Sequence, residues 1–230
     1  MISDVKFEKP TFKSSSFNDT VFNQGSFIKS KIHKSTFTNV TINQSDFHDS
    51  SIINSNINGN LEQVNFQKSN WVNTSIMGLI SGGDYSNSHY KNFNINTGMY
   101  NQINFSSSFI NKMRTEGATF NQANFSGSKI SNFSIVSSDL YGNNFGNSEI
   151  KDLNISNSHL INGNFDNTTF EGTINFNSSE LCKINLLRAN IKNLNAFNHA
   201  LKLVKSACQV NLPNGKLVNV NCQPSNPCYK

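Results

Sequence analysis

Large apolar residues recur along this chain at a spacing of five, with polar residues between them. From Ser45 to Phe66 they are Phe47, Ile52, Ile57, Leu61 and Phe66. Two positions before each stands a small residue: Ser45, Ser50, Ser55 and Gly59, with Val64 the exception. The remaining positions are mostly Asn, Ser, Asp, Gln and Lys. This period fits neither the 3.6-residue turn of a helix nor the alternation of a strand. A short period sustained over most of a chain predicts a solenoid.

Sorting the central residues by every fourth unit gives four columns. The first reads Phe7, Phe27, Phe47, Phe66, Tyr85, Phe105, Phe125, Phe145 and Phe165, then Leu186. The second runs from Phe12 to Ile191, the third from Phe17 to Ala196, and the fourth from Phe22 to Leu201. An aromatic column this regular predicts a coil of about twenty residues closed by four sides. Two units, Ile57 to Leu61 and Ile76 to Ile80, are one residue short at the same corner of consecutive coils. One extra residue between Phe170 and Phe176 predicts a bulge.

Units such as Ser45-Asp46-Phe47-His48-Asp49 and Ala123-Asn124-Phe125-Ser126-Gly127 resemble those of the pentapeptide-repeat family. The resemblance covers roughly residues 5 to 200. It implies an all-β solenoid, a right-handed quadrilateral β-helix in which each unit forms one wall. The central residue and the small residue before it would point inward. About nine to ten coils at ~4.8 Å each make a rod roughly 45 Å long.

Secondary patterns follow from the columns. Ser30, Ser50, Ser69, Ser88, Ser108, Ser128 and Ser148 would stack inside the second face, as a hydroxyl ladder or as small fillers. On the third face the small position becomes large from Phe93 onward, through Met113, Phe133 and Leu153. Asp46, Asn65, Asp84, Asn104, Asn124, Asn144, Asn164 and Asn185 form an outward Asn/Asp ladder along the first face.

The period changes near Leu194, which divides the chain into a β-helix of residues 1–194 and an end of residues 195–230. Phe197, Leu201, Val204 and Cys208 recur at helical spacing, predicting a capping helix from Asn195 to Val210 with Asn195 as N-cap. A hairpin around Asn214-Gly215 and an irregular tail from Gln223 would follow. A solenoid needs such a cap to cover its last apolar layer and open edge.

Hydrophobic residues are 36% of the chain and charged residues 14%, with a net charge of +5. So polar a chain would suit disorder, but the strict periodicity opposes it. Met1 to Pro10 lacks the apolar core of a secretory signal, and no run is long enough to span a membrane. That favours a cytoplasmic location. The late cysteines, Cys182, Cys208, Cys222 and Cys228, keep an exported or periplasmic one open. Their spacing fits no zinc ribbon or finger. Either Cys208 and Cys222 are bridged across the hairpin, or all four are free thiols. Residues 135–180 are acidic, and after Glu180 every charge is basic.

Nothing in the sequence points to catalysis, a metal or a cofactor. The columns place His159 between Asp139 and Glu180 on the fourth face, but on a flat wall. The expected function is therefore a non-enzymatic scaffold that binds a protein partner. Its candidate contact set is Ile53, Val72 and Phe109 on the second face, with Leu79, Met99, Tyr141 and Ile161 on the fourth, beside Asp139 and Glu180. The family resemblance adds an alternative, since its quinolone-resistance Qnr group binds DNA gyrase and topoisomerase IV, and some members imitate the width and charge of B-form DNA. This chain departs from that pattern in being basic and in lacking projecting loops between coils. A secreted effector is a further alternative. No duplex-DNA binding is expected, and the protein would be a monomer or an end-to-end homodimer.

Overall fold

The computed structural model describes residues 2–222. Cys228 and the tail expected from Gln223 lie outside the described residues. The chain winds as a β-solenoid of about ten turns, in which each coil pairs in parallel with the next. The register is the one the columns require. Ile32 pairs with Ile52 and Ile52 with Trp71 on the second wall. Phe17 pairs with Phe37 on the third, and Phe22 with Ile42 on the fourth. The first wall is held by single bridges running from Lys6–Ser26 to Asn185–Asn211.

The turn at the end of most units is left-handed. Lys29, Asp49, Lys68 and Asn87 have φ between 55 and 58°. Such φ values are uncommon outside Gly, and Asn and Asp tolerate them best. Asn and Asp are accordingly frequent at this position. Backbone bonds join coil to coil, as from Phe47 N–H to the Asn65 carbonyl at 2.7 Å.

Inside, the aromatic column is a stack. Phe47 and Phe66 lie 5.0 Å apart, and Phe145 and Phe165 lie 4.7 Å apart with their rings nearly parallel. The column is buried from Phe27 to Phe165, but Phe7 is not core. It stacks on Phe27 yet remains 43% exposed, because among the described residues no coil covers its other side. The serines of the second wall form a bonded ladder. Ser50 Oγ accepts from Ser30 N–H at 3.0 Å, and Ser88 Oγ accepts from Ser69 N–H at 2.9 Å. Ser128 and Ser148 in turn donate to the carbonyls of Phe105 and Phe125. Each inward hydroxyl thus satisfies backbone groups that would otherwise be buried and unpaired. Where the third wall switches to large residues, Phe93, Met113, Phe133 and Leu153 are all buried.

The two short corners stack on each other in register, Gly59 on Gly78. Register shifts mark the coils before and after them. The tightened corners bring backbones into contact. A Cβ on Gly59 would lie 2.0 Å from the Val40 carbonyl oxygen, and one on Gly78 would lie 2.0 Å from that of Gly59. Only glycine fits there. The extra residue of the later coil makes a bulge at Gly172-Thr173, opposite Asp152. The Asp152 carboxylate accepts from Thr173 N–H and Oγ1, which holds its pKa below the usual range.

The C-terminal end differs from the sequence expectation. The helix covers only Leu194–Ala200, and its N-cap is Asn193, whose side chain accepts from Ala196 N–H at 2.9 Å. Phe197 turns inward onto Phe176. Ala196 and Leu201 do not continue the third and fourth columns, and Leu194 is exposed. Instead Ser206–Asn211 resumes the coil: Ala207 stacks on Leu181, and Asn211 bridges Asn185. Stacking therefore continues past residue 194, with the helix replacing one wall of the last coil. Leu217–Val220 then pairs antiparallel with this strand, so among the described residues the parallel stack ends there. Cys208 and Cys222 are bonded across it, and no described cysteine is a free thiol.

Three outcomes are expected. Phe125→Ala should lower stability by about 3–5 kcal/mol, and Asn121→Ala by less than about 1 kcal/mol, read from denaturation midpoints. The buried Tyr85 hydroxyl has no partner among the described residues, while that of Tyr90 donates to the Tyr85 carbonyl at 2.6 Å. Tyr85→Phe should then be neutral or stabilising, and Tyr90→Phe should cost about 1 kcal/mol; the opposite order in thermal melts would contradict this bonding. Finally, a non-reducing digest should yield a linked Cys208–Cys222 peptide, and removal of residues 195–230 should take away the last coil, expose the coil beneath it and cause association, visible by light scattering.

Candidate interaction surface

Three side chains of every five stand outside, so each wall presents parallel columns whose successive side chains lie about 4.8 Å apart along the axis. On the fourth wall one column runs Leu79, Met99, Thr119, Asp139, His159 and Glu180. Leu79 and Met99 are neighbours in it and are 46% and 51% exposed. The parallel column carries Tyr141 and Ile161 side by side, with Tyr141 exposed and Ile161 half-buried. Desolvation, together with the Asp139 carboxylate nearby, raises the Tyr141 phenol above its usual pKa.

The charged end of this wall is a continuous line. His159 Nδ1 lies 2.6 Å from Asp139, and its Nε2 lies 3.7 Å from Glu180. Lys205, from the segment after the helix, reaches Glu180 at 2.7 Å. The line runs lengthwise along the rod, so Asp139 and Glu180 are two coils apart on one wall. Asp166 belongs to the first wall and is held by Arg188, and Glu171 belongs to the second. The acidic residues of 135–180 therefore do not form one patch.

The second wall gathers the other candidates. Ile53 and Val72 are consecutive in its column and half-buried. Phe109 is 51% exposed and stacks face to face on His89 at 5.1 Å. An open groove of about 490 Å³ runs along this wall past Val72, His89, Lys91, Phe109, Lys129 and Lys151. The structure thus keeps Ile53, Val72 and Phe109 together. It separates them from the fourth-wall set by the whole third wall.

Wall-by-wall charge is a feature that reading along the chain does not reveal. In the outward columns of the second wall lie Lys13, Lys91, Lys151 and Lys192 after the central residue, and Lys31 and Lys129 before it. Lys34 and Lys112 occupy its corner. Against these stand only Glu149, Asp152 and Glu171. Eight lysines over three acids leave a surplus of five, the same as the net charge of the whole chain. The fourth wall is the most acidic, with Asp4, Glu62, Asp139 and Glu180 against Lys183 and the Lys205 that reaches Glu180. The signal was present in the sequence, but only after the charges were sorted by column.

Among the described residues no group of three or more His, Cys, Asp or Glu is placed to hold a metal ion. No helix is long and apolar enough to cross a membrane.

No family model and no curated protein matches the chain. Solved structures match its fold at low identity. HetL, a pentapeptide repeat protein involved in heterocyst differentiation regulation from the cyanobacterium Nostoc sp. strain PCC 7120, is 14% identical, with 94% of this chain and 92% of that chain covered and a TM-score of 0.38. Full-length QnrB1, a plasmid-mediated fluoroquinolone resistance protein, is 10% identical over 70% of this chain and 93% of that chain, with a TM-score of 0.27. A mannuronic acid specific polysaccharide lyase from human gut microbiota is 9% identical over 88% and 78%, with a TM-score of 0.24. At these identities none of the three lends this chain a function. The coil register is the chain's own evidence, and the five-residue units that it stacks on four walls give this protein the pentapeptide-repeat fold.

Proposed function

We propose that the protein is a non-enzymatic scaffold whose fourth wall binds a protein partner. The carrying observation is the exposed pair Leu79 and Met99, set in one column with the Asp139–His159–Glu180 line. An apolar pair beside a fixed row of charges gives both contact area and register to a flat partner. The wall is held by coil-to-coil pairing, so it meets a partner already ordered, and little freedom is lost on binding.

A second reading is binding to DNA gyrase or topoisomerase IV, with protection or inhibition of the enzyme. What favours it is the acidity of the fourth wall, in a chain whose overall charge is basic. Imitation of DNA by this protein would then be confined to one wall. If the protein dimerises end to end, the exposed Phe7 is an apolar residue that such a contact would cover.

A supercoiling assay with purified gyrase, with and without a fluoroquinolone, separates these readings. If gyrase is the partner, the protein at micromolar concentration alters supercoiling, and Asp139→Lys with Glu180→Lys abolishes the effect. If neither inhibition nor protection occurs, gyrase is not the partner. Loss of a captured partner on Leu79→Asp with Met99→Asp, but not on Phe109→Ser, then remains the check on the fourth wall. Equal retention by all variants would overturn it.

A further inference from the structure

We infer that the second wall is a separate docking strip for an acidic segment of a partner protein. This rests on the scaffold reading but concerns the opposite side of the rod. The wall carries a charge surplus equal to that of the entire chain, while the first wall is balanced and the third and fourth are acidic. Its lysines are exposed; Lys91, Lys129 and Lys151 line one open groove, and Lys13 and Lys31 line a second toward the N-terminal end of the same wall. Among the described residues, only Lys129 of the first groove's three lysines has an ion-pair partner, Glu149 at 3.2 Å.

The spacing of the charge selects the occupant. From Lys13 to Lys192 the wall spans nine coil steps, on the order of 43 Å at ~4.8 Å each. Net of the acids, that is one positive charge in roughly 9 Å, whereas a nucleic-acid strand carries one phosphate in about 3.4 Å. Phe109 also spends one ring face on His89, so the wall offers no row of free aromatic platforms for bases. A polypeptide with acidic residues at intervals matches the sparser charge. The groove floor suits its apolar side chains, since Val72, Tyr90, Phe109 and Ile110 line it between the lysines. Glu149, Asp152 and Glu171 lie toward its C-terminal end and would fix the direction in which such a segment lies.

The test uses the full chain and a labelled peptide of about twenty residues, rich in Glu with Leu at every fourth position, followed by fluorescence anisotropy. Binding is expected at about 50 mM salt and should fade at about 500 mM, where screening is short-ranged. Lys91→Gln, Lys129→Gln and Lys151→Gln together should weaken it about tenfold. Lys6→Gln, Lys29→Gln and Lys68→Gln on the first wall remove the same charge and should change it less than about twofold. Phe109→Ser should also weaken binding without altering its salt dependence. Unchanged thermal melts confirm that each variant is folded. No binding by the unaltered protein at about 100 µM, or equal losses in the two triple variants, would overturn the proposal. Tighter binding of an oligothymidylate of the same length would overturn the choice of a protein occupant. None of these results touches the fourth wall, whose partner is lost through Leu79 and Met99 instead.

Discussion

Every feature of this protein depends on one constraint: each coil must lie directly on the one before it, so that backbone N–H groups meet carbonyls one turn away. The bond from Phe47 to Asn65 is repeated in kind from wall to wall. A residue is therefore never judged alone but as part of a column of equivalents. Inside, that converts single aromatic contacts into a continuous stack, and single serine hydroxyls into a chain of donors and acceptors. Outside, it turns the Asn side chains of the first wall into a ladder, as where Asn164 Nδ2 donates to Asn144 at 3.0 Å. The same carbonyl oxygens also accept from the backbone two residues on, so each rung fixes its own turn as well.

The columns explain why so much of the fold is legible in the sequence. Phe27, Phe47 and Phe66 announce their stacking because a period of five can be counted. The short corners at Gly59 and Gly78 are visible as missing residues, and the bulge at Gly172 as an added one. The C-terminal end was harder to read, for a physical reason. Phe197, Leu201, Val204 and Cys208 have helical spacing, yet two different structures use them. Phe197 is buried by a short helix, and Cys208 by a resumed strand, and the link between them breaks the period without breaking the stack. Asn193 and Asn195 are equally good caps by type, and only the position of Ala196 N–H decides between them. Phe7 shows the opposite limit. It belongs to the aromatic column by pattern, but burial depends on what lies above it, which pattern does not state.

The outer surface was legible in its members but not in its grouping. Ile53, Val72 and Phe109 stand out as apolar residues in polar positions, as do Leu79, Met99, Tyr141 and Ile161. Their separation onto two walls gives each group different electrical surroundings. A rod of this kind can hold a basic strip and an acidic strip a short distance apart, because the core between them contains no competing charge. Partner choice is then set by which wall is met, and substitutions on one wall leave the other's geometry alone.

The closed C-terminal end has a consequence for how such a rod can vary in length. The antiparallel strand Leu217–Val220 and the Cys208–Cys222 bond occupy the place where another parallel turn would sit. Gain or loss of a turn by duplication would therefore keep the register in the interior, in whole multiples of four units. Each such event would slide the two charged strips along the rod while leaving their angular separation unchanged, a ruler that can be re-cut without being redrawn.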